Sequence, residues 1–444
     1  MYARRRTLPT KPALPVWKWL LPAVLGAGAL YAAYHYATLP HDPPLQSSAQ
    51  ARTLAQDWQD LRAFGPRGLG EAGHAKAADW LAAQFRALGY SVTELPVMTT
   101  RPVDAGSTLT AGQQQLAVTA LYGAGGGEQT GRLVRVPPQA SSEEMGKLGL
   151  QTQIALTTCP AGTWAELVDR VLRAGAFGLV LIDDCPVAKF EPVSQTPMPL
   201  VKVAASQKAA VLALAGQQVK LTSKVEQQEV GGKTILARHV GATPALVFGA
   251  HLDTLPTSLG ANRDASGVLT VLELARRAAK APLGDQAWFV VFDGTTAGML
   301  GSRDFVPQYA YPLRQTRAML NFDGVGVGEP LEAAAHAELD PIIRQVDPQL
   351  RLFEEPRDQQ QRPIGKALPL VGNSDHLAFK QETVRTVLLQ RGGLNPFDKM
   401  LGDDQLDLGN VQKTADFAQK FAVAVLAAPW QPKEPCGLTG RNCY

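Results

Sequence analysis

The sequence has little excess charge and few residues that could hold a metal through sulfur. Its 43 Lys and Arg against 40 Asp and Glu give a net charge of +3 at pH 7, and no long basic stripe is present, which excludes the charge pattern of a nucleic-acid-binding protein. A charged fraction of 19% with 45% hydrophobic residues excludes a disordered chain and is typical of a globular one. The four Cys lack the spacing of a Cys-ligated zinc site.

The four Cys instead predict local disulfides. Cys159 and Cys185 flank one predicted αβ unit, and Cys436 and Cys443 close a short loop near the C-terminus. Two such bridges suit a protein of an oxidising compartment. Four unpaired thiols are the alternative.

The N-terminal segment predicts attachment to a membrane. Residues 1–18 form a basic cytoplasmic tail, and residues 19–37 are apolar over about the 20 positions that one transmembrane helix needs. The basic flank predicts a single-pass anchor with the ectodomain in the periplasm or outside the cell. A cleaved signal peptide is the alternative, because Ala27–Ala29 offers small residues for cleavage. Residues 38–50 are a Pro/Ser-rich linker.

Apolar strand patterns alternate with helical patterns in residues 51–100 and 229–430. This alternation predicts an α/β domain with a mostly parallel central sheet and helices on both faces. Residues 101–228 contain shorter strands and few helices and predict a smaller inserted mixed α/β domain, and residues 431–444 form a C-terminal tail. The main elements expected after the insert are the strands Leu246–Gly249, Trp288–Phe292, Ala318–Phe322, Leu350–Glu354 and Val384–Leu389 and the helices Val268–Ala279, Ala297–Phe305 and Val411–Ala428.

Polar clusters stand where strands of this sheet should end, and a further one lies in a late loop. Ligands of open α/β sheets bind at the carboxyl ends of the strands. His and carboxylate side chains from several strand ends are what a hydrolytic zinc site requires. The clusters are His251/Asp253, Asn262-Arg263-Asp264, Asp293-Gly294-Thr295-Thr296, Asn321-Phe322-Asp323 and Ser374-Asp375-His376.

These clusters lie in segments that resemble, in order and spacing, metallopeptidase family 28, the co-catalytic zinc aminopeptidases and carboxypeptidases whose fold is shared with glutaminyl cyclases. The resemblance covers nearly all of residues 51–428 and rests on ALGYSV, GAHLDT, GANRDASG, FDGTTAGMLGSRDF, NFDGVG and SDH. Residues 101–228 are similar to a protease-associated domain, notably in ELVDRVLRAGAFGLVLID. The resemblance implies a zinc-peptidase fold and a two-zinc site.

Four residues match the family's site. The resemblance implies that His251 and Asp323 are ligands of the first zinc and that His376 is a ligand of the second. Asp253 matches the carboxylate that orients the first His ligand.

Three positions depart from the family pattern. Arg263 stands where the bridging carboxylate belongs, Thr295 where the general-base Glu belongs, and Thr296 where a Glu ligand of the second zinc belongs. A guanidinium about 4 Å from a divalent ion would be repelled by about 8 kcal/mol at an effective dielectric constant near 20. A Thr hydroxyl cannot accept a proton from water at neutral pH as a Glu can.

We therefore expect Arg263 to occupy the space of the lost metal and to pair with Asp323 or Asp253, so that one cation replaces another. A one-residue shift that brings Asp264 to the bridging position is the alternative. His74, His239 and His336 lie outside the motifs, and we expect them to be surface or element-end histidines.

The expected function is that of a membrane-anchored pseudopeptidase that binds peptides or partner proteins, without a resident cofactor. The alternative is an active zinc-dependent exopeptidase with an atypical metal site. A structural module acting through the insert is a third hypothesis.

Overall fold

The computed structural model describes residues 52–431 apart from 122, 161, 163, 186–195, 197, 256–257, 353–373, 382–383 and 393–402. The predicted tail, anchor and linker of residues 1–50 lie outside the described residues, as do Cys436 and Cys443. Within the described ranges, no helix combines the length and the apolar character that crossing a membrane requires.

The described chain contains two eight-stranded sheets. The strands are β1 (Ser91–Asp104), β2 (Thr108–Ala111), β3 (Gln114–Ala117), β4 (Thr119–Ala120), β5 (Gly127–Arg135), β6 (Ile154–Thr157), β7 (Gly178–Asp183), β8 (Leu200–Ala204), β9 (Gln218–Ser223), β10 (Val225–Arg238), β11 (Leu246–His251), β12 (Ala287–Phe292), β13 (Ala318–Phe322), β14 (Leu331–Ala335), β15 (Arg351–Leu352) and β16 (Thr386–Arg391).

Helices connect these strands. They are α1 (Leu54–Ala63), α2 (Ala72–Ala87), α3 (Ser142–Lys147), α4 (Trp164–Arg173), α5 (Lys208–Ala213), α6 (Ser266–Ala278), α7 (Leu300–Gln308), α8 (Ala310–Leu313), α9 (Asp340–Val346), α10 (His376–Gln381) and α11 (Leu408–Ala427). Short helical turns cover Ala205–Gln207, Ala261–Ala265, Pro282–Gln286 and Ala337–Leu339.

The first sheet has the order β1-β10-β12-β11-β13-β16-β14-β15. Its centre, β12-β11-β13-β16, is parallel, whereas β10 pairs antiparallel with β12 and β14 pairs antiparallel with β16. The central strands consist of continuous buried runs, such as AWFVVF in β12, which is typical of strands covered on both faces. The predicted α/β fold is thus present, with the parallel arrangement confined to the centre and one edge pair, β14 and β15.

Helices cover both faces of this sheet. On one face, Phe248 stacks on Phe289 and Phe322 with ring centroids 5.5 and 6.4 Å apart, and the buried sides of α2, α6 and α11 join the same core. On the other face, Phe292 contacts Phe305 of α7 and Phe379 of α10 at 5.7 and 5.8 Å. This packing fixes the positions of the strand ends that carry the polar clusters.

The second sheet, β3-β2-β9-β5-β6-β7-β8-β4, lies within residues 108–223. Strands β1 and β10, each of 14 residues, pair along their whole lengths and connect the two sheets. The predicted boundaries at residues 101 and 228 fall inside this ribbon and stay predictions. The predicted Cys159–Cys185 disulfide is present and joins the segments that follow β6 and β7.

Helix α7 and strand β14 are places where the structure differs from the elements expected from the sequence. Helix α7 begins at Leu300 rather than Ala297, because Gly298 and Met299 adopt positive φ angles of 109° and 61° that interrupt the helical path. Strand β14, of sequence LEAAA, was not expected, since Ala has low strand propensity. Its pairing with β16 supplies the stabilisation that the sequence pattern does not reveal.

Candidate functional site

The polar clusters lie at one edge of the first sheet. Strand β11 pairs in parallel with β12 and with β13, so the residues that follow these strands emerge side by side. Hydrogen bonds between clusters, described below, connect residues 251–264, 293–296, 323 and 375. The site is therefore a single buried polar group of side chains rather than separate surface turns.

His251 is held by the turn that follows its strand. Its Nδ1 lies 2.9 Å from the carbonyl oxygen of Asp253 and 3.5 Å from Asp253 Oδ1. Burial disfavours the charged imidazolium, but the carboxylates of Asp253, Asp264 and Asp323 outweigh it and raise the pKa of His251 to about 10. The imidazole is thus oriented and protonated at neutral pH when no metal is bound.

The two Thr residues at the positions of the family's Glu pair are engaged with carboxylates. Asp253 accepts hydrogen bonds from the backbone N–H of Thr295 at 2.9 Å, from the backbone N–H of Thr296 at 2.8 Å and from Thr296 Oγ1 at 2.6 Å. The Thr295 hydroxyl donates to Asp375 Oδ2 at 2.8 Å. Both hydroxyls therefore act as hydrogen-bond donors, and neither supplies a base or an anionic ligand.

Arg263 pairs with Asp323, one of the two partners expected from the sequence. Arg263 Nη2 donates to Asp323 Oδ2 at 2.8 Å; the Arg263 side chain is 14% exposed and that of Asp323 is fully buried. The turn that carries Arg263 is fixed by Asp403, whose carboxylate accepts the backbone N–H groups of Asn262 and Arg263 at 2.6 and 2.7 Å. A guanidinium thus lies against a predicted zinc ligand.

The carboxylate of Asp264 is hydrogen-bonded to the backbone. Its carboxylate accepts the N–H groups of His251, Gly267 and Gly324 at 3.1, 3.0 and 3.3 Å. Burial raises its pKa well above the ordinary value, although the charge of His251 opposes this shift. Because both oxygens are bonded to backbone donors, the geometry argues against Asp264 as a replacement bridging ligand.

In the cluster Ser374-Asp375-His376, burial shifts the pKa values of the acid and of the histidine in opposite directions. Burial raises the pKa of Asp375 to about 7, although the charge of His251 and the Thr295 hydroxyl lower it. Burial lowers the pKa of His376 to about 4, so its imidazole is neutral at pH 7. Ser374 accepts a hydrogen bond from Asn321 Nδ2 at 2.8 Å, which ties the cluster to β13.

The residues present do not fit a two-zinc centre. Each of the three matched ligands keeps one buried atom without a hydrogen-bond partner: His251 Nε2, Asp323 Oδ1 and His376 Nδ1. However, the part of the chain that the structure describes contains no group of three or more His, Cys, Asp or Glu residues that could hold a metal ion. With Arg263 bonded to Asp323 and hydroxyls at 295 and 296, the bridging and second-zinc charges are missing.

The expectation for His74 was wrong. Its side chain is only 2% exposed, and its Nε2 lies 2.9 Å from Asp293 Oδ1, behind the 293–296 cluster. Asp293 also accepts the backbone N–H groups of Lys233 and Gly294 at 2.6 and 2.9 Å. Despite its burial, the contact with Asp293 raises the pKa of His74. The pair therefore supports the loop of residues 293–296 from inside the fold.

Arg67 and Asp403 were also missed by sequence reasoning. Arg67 is fully buried and donates to the carbonyl oxygens of Leu252, Leu259 and Gly260 at 3.1, 2.8 and 3.1 Å, so it holds both ends of the loop after His251. Burial lowers its pKa to about 10, which the nearby carboxylates partly oppose. No local pattern marks either residue, because their partners are 185 to 193 and 140 to 141 residues away.

Comparisons with known proteins agree with this fold. The profile described as Peptidase family M28 matches residues 234–420. Aminopeptidase YwaD of Bacillus subtilis is 23% identical over 394 residues, which are 84% of this chain and 82% of that protein. The probable lipoprotein aminopeptidase LpqL of Mycobacterium tuberculosis is 25% identical over 284 residues, and the match spans 60% of this chain and 56% of that protein's length.

Solved structures show the same architecture. A zinc aminopeptidase from Bacillus subtilis, BSAP, superposes with a TM-score of 0.60 at 20% identity, over 85% of this chain and 95% of that one. An aminopeptidase from Aneurinibacillus sp. strain AM-1 gives a TM-score of 0.52 at 20% identity, over 86% and 96% of the two chains. The profile match thus identifies residues 234–420 as similar to peptidase family M28, and the solved structures show that the chain shares the fold of zinc aminopeptidases.

Proposed function

We propose that this protein is a pseudopeptidase: an aminopeptidase-like protein that binds peptides or partner proteins in a pocket that no longer holds the two zinc ions of hydrolysis. The observation that carries the proposal is the 2.8 Å ion pair between Arg263 and the buried Asp323. A permanent cation bonded to a zinc ligand competes with the metal for that ligand, because Arg cannot lose its charge in a protein.

The two Thr residues support the proposal independently. A hydrolytic site needs a base that takes a proton from water. The hydroxyl of Thr295 is instead a hydrogen-bond donor to the carboxylate of Asp375. The hydroxyl of Thr296 donates to Asp253. Three separate positions have thus lost metal-binding or catalytic charge, while the surrounding scaffold, including the Asp253 and His251 turn, is kept.

The proposal places the folded part outside the cytoplasm, held by a single helix over residues 19–37. The Cys159–Cys185 disulfide supports this location, because such bridges persist in oxidising compartments. The mycobacterial relative named as a probable lipoprotein aminopeptidase points to an exported protein as well.

Metal content and hydrolysis test the proposal on the same purified protein. Elemental analysis should find less than one zinc per chain, and aminoacyl p-nitroanilides should show no turnover that a chelator abolishes. Stoichiometric zinc with chelator-sensitive turnover would refute it and would favour an exopeptidase that uses the free atoms of His251, Asp323 and His376.

A repair variant tests the same reasoning in reverse. Arg263→Asp with Thr295→Glu and Thr296→Glu should bind about two zinc ions per chain, because it returns the bridging and terminal charges. Arg314→Asp, which repeats the charge change of Arg263→Asp at an exposed position, is the control and should bind none. A folded triple variant that takes up no zinc would contradict the view that these three positions alone removed the metals.

A further inference from the structure

The side chain of Asn262 leaves a buried amide donor without an acceptor. Its Oδ1 accepts the backbone N–H groups of Gly326 and Val327 at 2.8 and 3.0 Å, which fixes the orientation of the amide, because an NH₂ group cannot accept these bonds. Its Nδ2 is buried and has no acceptor among the described residues, and the residue as a whole is 3% exposed. An unpaired buried donor is costly, so an oxygen acceptor from water or from a ligand is expected at this point.

Arg263 adds further donors beside this amide. A guanidinium carries five N–H groups, and within the described part of the chain only Nη2 has a side-chain acceptor, Asp323. Its side chain keeps 14% of its surface exposed, so a ligand can reach it.

Contacts at Gly324 show that the side chains of Asn262 and Arg263 lie next to each other. A Cβ atom built on Gly324 would lie 3.3 Å from Arg263 Cγ and 3.5 Å from Asn262 Nδ2. The Asn262 amide and the stem of Arg263 therefore lie against the same side of Gly324, within contact distance of where a Cβ atom would be.

We propose that Asn262 and Arg263 form a carboxylate-binding site and that its ligand is the carboxylate end of a peptide; this inference rests on the proposed function and names the group that the pocket recognises. Both side chains offer only N–H donors here, so an anionic oxygen satisfies them and a protonated amine, which has only donors, does not. The Arg fork matches the two oxygens of a carboxylate.

The carboxylate of Asp323 limits which anionic ligands can bind beside Arg263. Its Oδ2 already takes one guanidinium N–H, and its negative charge disfavours a dianion such as phosphate more than a monoanion. Its Oδ1 is buried and has no partner, and so it provides an acceptor for an N–H of the same ligand. A peptide has such an N–H beside its terminal carboxylate, whereas a simple carboxylic acid does not.

Paired peptide libraries test this site. An N-acetyl tetrapeptide library with free carboxylates and the same library as C-terminal amides are titrated against the purified protein. The free acids should bind about ten- to a hundredfold more tightly, the range expected for charge-assisted hydrogen bonds. Equal binding of the two libraries, or no binding of either, would overturn the proposal. Propionate, which has a carboxylate but no N–H beside it, or inorganic phosphate would overturn the assignment to a peptide end if either bound as tightly as the peptides.

Two variants test the residues. Asn262→Asp keeps the oxygen that accepts Gly326 and Val327 but replaces the donor by an anionic oxygen, and Arg263→Gln removes the fork. Both should abolish the preference for free carboxylates, and the control Arg314→Gln should keep it. An unchanged preference for free carboxylates in a folded Asn262→Asp protein would overturn the proposed binding site. If the variants do not fold, the comparison of the two libraries on the unaltered protein still tests the proposal.

Zinc content, measured on the same preparations, separates the two proposals. Zinc with chelator-sensitive hydrolysis of aminoacyl substrates refutes the pseudopeptidase function. A zinc-free protein that binds both libraries equally refutes only the carboxylate site.

Discussion

Removing Arg263 should destabilise the folded chain because it leaves the carboxylate of Asp323 buried without its cation. At the observed 2.8 Å and an effective dielectric constant near 20, the gross attraction of the pair is about 6 kcal/mol, an upper bound that desolvation reduces. Breaking one side of a buried pair costs about 3–5 kcal/mol, and the 14% exposure of Arg263 places Arg263→Met near the lower end, at about 3 kcal/mol.

A double-mutant cycle isolates the pair from other effects. Asp323→Asn removes the charge but keeps an acceptor, so it should cost about 1–2 kcal/mol, and the double variant should lose about 2–3 kcal/mol less than the sum of the single changes. The assay is urea denaturation followed by Trp fluorescence at pH 7, with Arg314→Met as the control, which should shift stability by less than about 0.5 kcal/mol. A loss below about 1 kcal/mol for Arg263→Met, or a coupling below about 0.5 kcal/mol, would refute the charge-replacement argument.

Three further predictions concern neighbouring features. Burial raises the pKa of Asp375 to about 7, so the folded state binds one more proton than the unfolded state between pH 4 and 7. The free energy of unfolding should therefore fall by about 4 kcal/mol as pH rises through this window. The variant Asp375→Asn should remove this part of the pH dependence. His74→Phe should cost about 2–4 kcal/mol below pH 6, where the raised pKa of His74 makes its pairing with Asp293 fully effective, and less as pH rises through that pKa. Replacing Cys159 and Cys185 together by Ser should lower the stability of the second sheet by about 3–4 kcal/mol, since their bridge closes a separation of 26 residues.

Urea denaturation checks the first two of these predictions across pH 4–9. A pH dependence of the Asp375→Asn variant equal to that of the unaltered protein would contradict the assignment of the buried acid. A cost of His74→Phe that stays constant across this range would show that the residue acts by packing alone. For the disulfide, thermal unfolding of the Ser pair against the oxidised protein gives the difference directly, and an unchanged melting temperature would contradict it.

Much of the main sheet could be predicted from the sequence because its central strands carry long apolar runs. Ala318–Phe322 is a strand with the predicted bounds, and Trp288–Phe292 differs from the structure by one residue. The antiparallel flanks could not be predicted, because pairing partners such as β14 and β16 are chosen by tertiary contact rather than by local pattern. His74 looked like a surface residue because helical periodicity does not report which polar partner lies opposite a helix.

By itself, the sequence determined where the chemical groups stand: His251, Asp253, Asp323 and His376 after or near strand ends, and Arg263, Thr295 and Thr296 at positions where the family resemblance implies acidic residues. It also limited the partner of Arg263 to Asp323 or Asp253. Only the tertiary structure decided between them, because ion pairing depends on the direction in which each buried side chain points. The carboxylate of Asp253 accepts hydrogen bonds from Thr295 and Thr296, and that of Asp264 accepts them from backbone N–H groups. The acid that remains within reach of Arg263 is Asp323.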